Sequence, residues 1–292
     1  MRMLITGASG FLGRHVLGHL AESGHDVTGF DQAEAGLAGF RHVVGDLTDP
    51  ADVARAAAGT DVICHIGAIG DVYLAGERPE LAAQVNVTGS ANVARAAHQV
   101  GARVVYASTW EVYGEPRYEP LDEEHPCDPD HPYNITKLAG ERMLLAADRL
   151  HGVPVTALRL GTAYGSGLRP NSVFRIFIDR ARRGEPLTIQ GDGSQIRQFT
   201  HASDIARAFE LAAGAGLRQT VLNTVAPEAI SIRHLAELVV ERFPTELTFG
   251  DPRPGDVPPA TVSSKKAADV LGWEPQMAFD AGLDELIGSL QE

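Results

Sequence analysis

The first part of the chain alternates between short apolar runs and longer stretches with helical spacing. The apolar runs are rich in Val, Ile and Leu, and they lie at 2–6, 26–31, 42–46, 61–66, 103–109 and 154–160. Continuous runs of this kind are typical of parallel strands covered on both faces. Helical stretches separate most of them, at 11–24, 50–59, 79–101 and 132–152. This alternation predicts right-handed crossovers and an α/β fold, a Rossmann-type doubly wound parallel sheet.

The helical stretch 132–152 has a regular apolar face. Its apolar residues recur at helical spacing and form one stripe: Ile135, Leu138, Ala139, Met143, Ala146 and Leu150. A stripe of this kind is the face that an amphipathic helix buries.

Beyond residue 165 the pattern of the chain changes. An amphipathic helix is predicted at 171–184 and a short strand at 187–191, and a proline-rich loop follows at 251–260. Two further helices are predicted near the C-terminus, and the apolar run 220–225 is expected to return to the main sheet. We therefore predict a smaller C-terminal substrate-binding lobe, with short returns of the chain to the large sheet.

Composition and charge exclude several classes of function. The 292 residues carry a net charge of −13, which argues against a general nucleic-acid surface because phosphate backbones need clustered Lys and Arg. No apolar run approaches the roughly 18–20 residues that a membrane helix needs. The two cysteines, Cys64 and Cys127, show no metal-ligand spacing and are expected to be free thiols. We expect a cytoplasmic protein without a metal site.

The stretch TGASGFLG follows the first predicted strand and opens the first predicted helix. Gly7 permits a tight turn, Gly10 lets the backbone approach a pyrophosphate, and Gly13 lets the helix pack on the strand. Phe11 and Leu12 lie between the last two glycines and are expected to line the same site. The positive end of the helix would then face the negative phosphates. These features predict a dinucleotide-binding site.

Residues after the next strands extend this prediction. Asp31 ends the second strand, where its carboxylate can accept hydrogen bonds from an adenine-ribose diol and would repel a 2′-phosphate. This position favours NAD over NADP. Asp46 and Leu47 follow the third strand and are expected to flank the adenine. Gly67 and Ala68 keep the loop after the fourth strand slim near the dinucleotide.

The stretch YNITK places a tyrosine and a lysine on one helical face. Tyr133 and Lys137 are four residues apart, and they follow the strand that ends in AST. A tyrosine is a poor base at neutral pH, but a nearby ammonium and a positive nicotinamide ring both favour the phenolate. In a dinucleotide-binding chain, this pair predicts proton transfer beside the cofactor.

Many ordered motifs resemble one known family. The chain is similar to the extended short-chain dehydrogenase/reductases, and within them to the NAD-dependent nucleotide-sugar epimerases and dehydratases. The resemblance covers almost the whole length and includes TGASGFLG, GDLTD, NVTGSANV, YASTWEVYG, PYNITK, LRLGTAYG, LTIQGDGSQIRQFTHASDIARA, PRPGD and LGWEP. It implies an NAD-binding domain at 1–165, to which 200–228 returns, and a substrate-binding lobe formed by 166–199 and 229–292.

The resemblance also implies catalytic roles. Thr109 matches the family's Ser/Thr that binds the sugar hydroxyl, and Tyr133 matches the base that removes the hydroxyl proton while hydride leaves C4. Lys137 would bind the nicotinamide ribose and lower the Tyr133 pKa. Glu111 matches a carboxylate that sugar dehydratases and uronate decarboxylases often carry, and it could act as an acid or base at C5 or C6. Trp110 replaces the acidic residue of hexose 4,6-dehydratases, so it would shape the sugar pocket or pack in the core.

Further residues are implied around the active site and the diphosphate. Asn86 would fix the active-site loop by hydrogen bonding, and Arg197 and Arg253 match positions that contact the diphosphate of a nucleotide sugar. Guanidinium groups suit phosphate oxygens. Thr162 replaces the usual Asn at the diphosphate, and Gln198 stands where Asp is common.

Several activities and one assembly state stay open at this point. The leading expectation is epimerisation or dehydration of a nucleotide sugar through a transient 4-keto sugar, with hydride returned to the product. A uronate decarboxylase and a sugar or uronate dehydrogenase with net redox change are the alternatives. Retention of Tyr133 and Lys137 argues against an NAD-sensing regulator. Family members often dimerise through the two helices at 79–101 and 132–152, so a homodimer is expected.

Overall fold

Strands and helices alternate along the chain as the sequence pattern predicts. The computed structural model describes residues 1–33, 39–251 and 260–290. The elements up to the sixth strand are β1 Arg2–Thr6, α1 Phe11–Glu22, β2 Asp26–Asp31, β3 Arg41–Val44, α2 Pro50–Ala57, β4 Val62–His65, α3 Val72–Glu77, α4 Pro79–Ala82, α5 Gly89–Val100, β5 Arg103–Thr109, α6 Pro132–His151 and β6 Val155–Leu160. The later elements are β7 Thr162–Tyr164, α7 Val173–Arg182, β8 Leu187–Gln190, β9 Ile196–His201, α8 Ala202–Gly214, β10 Thr220–Thr224, β11 Ala229–Ser231, α9 Ile232–Arg242, β12 Leu247–Gly250, α10 Lys265–Leu271 and α11 Phe279–Ser289.

The large sheet confirms the predicted Rossmann-type fold. Within the described ranges, its strands run parallel in the order β3-β2-β1-β4-β5-β6-β10. The chain crosses from β3 at one edge back to β4 beside β1, so the direction of strand addition reverses between β1 and β4. In open α/β sheets, ligands bind at such a switch point, outside the carboxyl ends of the strands.

Helices cover both faces of the large sheet. On one face, Leu17 of α1 and Phe209 of α8 are fully buried in a cluster with strand residues such as Ile5. On the other face, Val93 of α5 and Leu144 of α6 are buried in a second cluster. Burial on both faces explains why the strands are continuous Val, Ile and Leu runs rather than alternating patterns.

The smaller lobe has its own core. In the part of the chain that the structure describes, β11, β9 and β7 form one small sheet and β12 pairs with β8 in another. Four aromatic rings, Tyr164, Phe174, Phe199 and Phe279, pack together between these strands and the helices α7 and α11. The segment 266–273 packs against the large sheet rather than in the core of the smaller lobe. Its Trp273 is buried beside α8, which covers one face of the large sheet. The division into 1–165 with 200–228, and 166–199 with 229–292, stays a prediction.

The predicted helix 79–101 consists of three consecutive segments. It begins as α4, continues through a π-helical segment Ala83–Thr88, and ends as α5. A π-helical turn within a helix frequently marks a functional site. Here it contains Asn86, which faces the helix α6.

The apolar stripe of α6 is absent from the described core. Ile135, Met143 and Leu150 are 46%, 45% and 74% exposed. The opposite side of the helix is buried and carries polar side chains, among them Lys137 and Glu141. No helix within the described ranges combines the length and apolarity needed to cross a membrane.

Candidate active site

A cleft of about 720 Å³ opens at the carboxyl ends of the large sheet's strands. It brings together most of the residues expected from the sequence. The predicted residues that line it are Gly7, Gly10, Phe11, Leu12, Gly13, Asp31, Asp46, Leu47, Gly67, Ala68, Thr109, Trp110, Glu111, Tyr133, Lys137 and Thr162. Its position matches the switch point between β1 and β4, where the topology predicts a ligand.

Two of the predicted residues that the structure describes do not line the cleft. Asn86 is buried behind it, where its Oδ1 accepts a hydrogen bond of 2.7 Å from the Ile69 amide and its Nδ2 donates one of 2.9 Å to Thr136 Oγ1. Asn86 thus fixes the cleft loop after β4, as expected from the sequence. Arg197 is half-buried on β9 and donates a hydrogen bond of 2.8 Å to the Ile196 carbonyl. Arg253 lies outside the described residues.

The glycine loop is set by backbone contacts. Gly7 has φ of +71°, and a Cβ there would lie 2.6 Å from Gly67 Cα. A Cβ at Gly13 would lie 1.9 Å from the Gly7 carbonyl oxygen. Both positions therefore require glycine, because the approaching atoms are backbone atoms that have no rotamer to change.

The start of α1 fits a pyrophosphate group. Gly10 caps this helix without a side-chain hydrogen bond, and no acidic residue lies in the first turn. The first amides and the positive end of the helix dipole are therefore available to an anion. A Cβ at Gly10 would meet only the Gly7 carbonyl oxygen, at 3.1 Å. The loop thus has the tight turn and the open helix terminus that a dinucleotide needs.

Asp31 lies where the adenine-ribose is expected. Its Oδ2 accepts a hydrogen bond of 2.9 Å from the Ser9 amide in the glycine loop, and its Oδ1 accepts one of 2.7 Å from the Gln32 amide. Asp46 accepts hydrogen bonds of 2.8 Å from the amide and hydroxyl of Thr48. The Asp31 carboxylate is therefore oriented by backbone groups on two sides, at the end of β2 and in the wall of the cleft.

A chain of buried hydrogen bonds fixes the loop after β4. Thr6 Oγ1 accepts hydrogen bonds from the Ile66 and Gly67 amides, so its own hydrogen points to His65 Nδ1, 2.8 Å away. His65 Nε2 then donates to Ser90 Oγ at 3.0 Å. Burial and the nearby Lys137 ammonium lower the pKa of His65 to about 3, so the imidazole is neutral. His65 therefore acts in orienting the cleft loop rather than in proton transfer.

Tyr133 and Lys137 project from the first turns of α6. His131 caps this helix by accepting a hydrogen bond of 3.2 Å from the Tyr133 amide. The Lys137 ammonium lies 4.3 Å from the centre of the Tyr106 ring. Burial lowers the pKa of Lys137 to about 7, and the negative charge of Glu141 opposes that shift.

The pKa of Tyr133 departs from the sequence-based expectation. We expected Lys137 to lower it, but in the protein alone the pKa of Tyr133 is raised, first by burial and then by the negative charge of Glu111. Arg169 opposes this rise. The physical reason is that the phenol leaves water for a buried site, where the charged form is disfavoured unless positive charge compensates.

Thr109, Trp110 and Glu111 follow the end of β5. Thr109 Oγ1 accepts a hydrogen bond of 3.3 Å from the Glu111 amide and caps the 3₁₀ turn Trp110–Tyr113. Burial raises the pKa of Glu111, while the positive charge of Arg197 opposes the rise. Trp110 packs against Val225 and other apolar side chains and also lines the cleft. Its role toward a sugar stays a prediction.

Arg169 is a site residue that sequence reasoning missed. It lines the cleft, and its Nη1 lies 3.3 Å from the Gly70 carbonyl oxygen and 3.3 Å from Asp71 Oδ2. Asn171 donates a hydrogen bond of 3.1 Å to the same Asp71 oxygen. These contacts join the loop after β7 to the loop after β4 across the cleft. No local spacing rule marks an arginine in an irregular loop, and only its place in the fold reveals it.

Gln198 stands where Asp is common in the family pattern. Its side chain forms hydrogen bonds with backbone groups of two other segments. Its Oε1 accepts a hydrogen bond of 2.6 Å from the Val262 amide, and its Nε2 donates one of 2.9 Å to the Ala226 carbonyl. An aspartate has no donor for the second of these partners. Gln198 thus links β9 to two later stretches of the chain, at Ala226 and at Val262.

The sequence matches the family model described as the NAD dependent epimerase/dehydratase family over residues 3–224. The chain belongs to this family. Its members are enzymes of the extended short-chain dehydrogenase/reductase type, and NAD is their cofactor. The sequence-based prediction of family, enzyme class and cofactor is therefore confirmed.

Three similar proteins show the range of activities in the family. The UDP-glucose 4-epimerase of Mycolicibacterium smegmatis is 33% identical, over 98% of this chain and 97% of that protein. The UDP-glucuronic acid decarboxylase 1 of Danio rerio is 30% identical, over 98% of this chain and 72% of that protein. MoeE5, solved in complex with UDP-glucose and NAD, superposes with a TM-score of 0.92 at 32% identity, over 100% of this chain and 99% of that one.

Proposed function

We propose that the protein epimerises a nucleotide-diphosphate sugar at C4, through a transient 4-ketone. The observation that carries this proposal is the single cleft in which Thr109, Tyr133 and Lys137 face the glycine loop of the cofactor site. The UDP-glucose 4-epimerase and UDP-glucose complex among the similar proteins support the same substrate class.

Each proposed catalytic residue has a defined task. Bound NAD supplies a hydride acceptor for C4 of the sugar and a hydride donor for the return step, so no net redox change remains. Tyr133 takes the C4 hydroxyl proton as the ketone forms and gives it back as the ketone is reduced. Thr109 binds the same hydroxyl, and the Lys137 ammonium favours the phenolate form of Tyr133. Inversion at C4 requires the 4-keto sugar to turn between the two hydride transfers, so that its opposite face is presented to the cofactor.

The charges around the cleft support an anionic substrate. Arg169 lines the cleft, and Arg197 lies close enough for its charge to act on Glu111. Guanidinium groups on an acidic protein suit the oxygens of a diphosphate or carboxylate. We also propose that 166–199 and 229–292, which include Arg197 and Arg253, form the substrate-binding lobe, and that Thr162 lies near the diphosphate.

A second candidate is elimination of water or carbon dioxide from the ketone. Glu111 favours it, because this half-buried carboxyl lines the cleft and burial raises its pKa. A carboxyl with a raised pKa exchanges protons more effectively near neutral pH. The Danio rerio relative is a decarboxylase, which agrees with this chemistry. Trp110 has no acidic proton to donate, so Glu111 would have to act without a second acid beside it.

The purified protein with NAD and a panel of UDP-, dTDP-, GDP- and CDP-sugars, including uronates, tests both candidates. Products are read by mass spectrometry in heavy water, with absorbance followed at the NADH band. An isobaric product without deuterium supports C4 epimerisation, because the hydride returns from the cofactor rather than from solvent. Loss of water or carbon dioxide supports elimination, and steady NADH accumulation supports a dehydrogenase instead.

The variant Glu111→Gln separates the two candidates further. It keeps the shape of the side chain but removes its proton. Elimination or decarboxylation should fall about 10²–10⁴-fold in this variant, which is the usual contribution of a general acid or base. Epimerisation at C4 should retain most of its rate. Equal loss of both activities would mean that Glu111 holds the pocket in shape rather than transferring a proton.

We further propose a homodimer that buries the apolar stripe of α6. Its exposed Ile135, Met143 and Leu150 form a helical stripe of the kind that partner helices cover. Light scattering on the wild type should show a dimer, and Met143→Glu with Leu150→Glu should give a monomer. Val270→Glu is the control, because the exposure of Val270 is close to that of Met143 but the residue lies on α10. A monomeric wild type would refute the proposal.

A further inference from the structure

A fully buried ion pair lies directly behind the proposed catalytic residues. Arg159 Nη2 of β6 is 2.7 Å from Glu141 Oε1 of α6, and the two side chains are 3% and 0% exposed. Glu141 Oε2 also accepts a hydrogen bond of 2.6 Å from Ser108 Oγ on β5. One carboxylate thus joins a helix to two neighbouring strands.

The elements that Glu141 joins are those that carry the catalytic residues. Ser108 immediately precedes Thr109 on β5, and it is paired in register with Arg159 on β6. Lys137 precedes Glu141 by one turn of α6, and Tyr133 precedes it by two turns, so the three side chains share one face. This carboxylate is therefore one of the contacts that fix the position of Thr109 relative to the Tyr133–Lys137 pair.

Glu141 also supplies the negative charge that acts on Lys137. Among the described residues, three other titratable groups lie near the Lys137 side chain: His65 of β4, Tyr106 of β5 and Tyr133 of α6. His65 is neutral, and burial raises the pKa values of both tyrosines, so none of them is an anion at neutral pH. The charge of Glu141 opposes the effect of burial on Lys137.

Fold stability alone does not account for this ion pair. A buried ion pair pays for desolvation of both charges, and well-packed apolar residues of similar volume are often equally or more stabilising. Arg159 Nη1 is buried without a hydrogen-bond partner, so the pair is not fully satisfied. The arrangement is therefore better explained by what it does for its neighbours.

We propose that Glu141 is a positioning residue, whose carboxylate fixes α6 against the end of β5 and favours the ammonium form of Lys137. Arg159 is the counter-ion that lies against this carboxylate in the core. The proposal rests on the proposed roles of Thr109, Tyr133 and Lys137. Its first test is made without substrate, so that it can succeed or fail independently of those roles.

The chain allows a direct measurement because it contains only three lysines, Lys137, Lys265 and Lys266. Protein labelled with ¹³C at the lysine ε-carbon gives one signal for each, and the Lys137 signal is assigned by its absence in Lys137→Met. The pH titration of this signal should have its midpoint at about 7 in the wild type. It reports the charge of Lys137 without any turnover.

The test variant is the double substitution Glu141→Gln with Arg159→Met. It removes both charges together, because Glu141→Gln alone would leave Arg159 unpaired in the core and endanger folding. Without the carboxylate, the Lys137 midpoint should fall by about one pH unit or more, a tenfold loss of proton affinity. An unchanged midpoint would overturn the proposal.

Asp148→Asn is the matched control. Asp148 is also a buried carboxylate of α6, paired with Arg218 at 2.6 Å, but it lies two turns beyond Glu141. This variant should leave the Lys137 midpoint at its wild-type value. A similar fall in the control would show that general loosening of α6, rather than the charge of Glu141, sets the midpoint, and would also overturn the proposal.

Turnover gives the second readout. Once a substrate is found, the double variant should lose at least about tenfold in kcat, with a smaller change in KM, because Glu141 is not among the residues that line the cleft. Wild-type kcat in the double variant would contradict the positioning role. If no sugar nucleotide is turned over, the proposed function fails while the lysine titration still decides the role of Glu141.

Discussion

The contact between Gly13 and Gly7 gives a sharp prediction for the cofactor site. Gly13 lies in the first turn of α1, and a Cβ built there would be 1.9 Å from the Gly7 carbonyl oxygen and 2.8 Å from Ala8 Cα. Gly18 lies in the same helix, and a Cβ there meets nothing within 4 Å. The same substitution to alanine at these two positions should therefore have opposite effects.

The magnitudes follow from the two environments. Ordinary Cβ contacts begin at 3.4 Å, so Gly13→Ala must separate the helix from the glycine loop by about 1.5 Å. Overpacking against a rigid neighbour costs about 1–3 kcal/mol, and here the neighbour is backbone, so we expect the upper end. Alanine regains about 1 kcal/mol of helix propensity. Gly13→Ala should thus lose about 2 kcal/mol net, while Gly18→Ala should gain up to about 1 kcal/mol.

Urea unfolding and calorimetric titration with NAD measure both consequences. Gly13→Ala moves the first amides of α1 away from the pyrophosphate, so NAD affinity should fall at least about tenfold, equivalent to about 1.4 kcal/mol. Gly18→Ala should bind NAD as the wild type does. Wild-type stability and affinity in Gly13→Ala would refute the argument, because they would mean that the loop yields freely.

Three further predictions concern chemistry, pH and folding. Tyr133→Phe removes the proposed base, so turnover should fall about 10²–10⁴-fold while calorimetry shows little change in NAD affinity. Burial lowers the pKa of Lys137 to about 7, so between pH 7 and 10 the unfolded chain binds a proton that the folded protein lacks. The difference in unfolding free energy between the wild type and Lys137→Met should therefore increase with pH, by up to about 1.4 kcal/mol per pH unit. A difference that stays constant with pH in urea unfolding would contradict this. The Asp204 carboxylate accepts hydrogen bonds from the Gln276 and Met277 amides, so it anchors this stretch to α8. Asp204→Ala should therefore lower the unfolding free energy by at least about 1 kcal/mol, and a smaller loss on urea unfolding would contradict the anchoring role.

The sequence predicts those parts of the fold that depend on local pattern. The strands of the large sheet read as continuous apolar runs because both faces are covered, and the glycine loop is recognisable because two of its positions admit no side chain. Tyr133 and Lys137 were predicted to share a face, and they line one cleft. In each case, the signal comes from residues that lie close together in the sequence.

Features that depend on distant partners were not predictable. The apolar stripe of α6 indicated a buried face, but periodicity does not show what covers a face. The side that is buried includes Lys137 and Glu141, whose charges are tolerated because Arg159 and the Tyr106 ring approach from other strands. Arg169 reaches the cleft from an irregular loop. The raised pKa of Tyr133 likewise reflects burial by the whole fold.

The hydrogen bonds of Gln198 bear on how the sequence at 252–259 can vary among related chains. The chain before 252–259 is anchored where β12 pairs with β8, and the chain after it is anchored by the hydrogen bond from the Val262 amide to Gln198. Both anchors lie outside the large sheet that holds the cofactor. A change of sequence between the two anchors is therefore expected to leave the strands of the large sheet, and the residues at their carboxyl ends, in place.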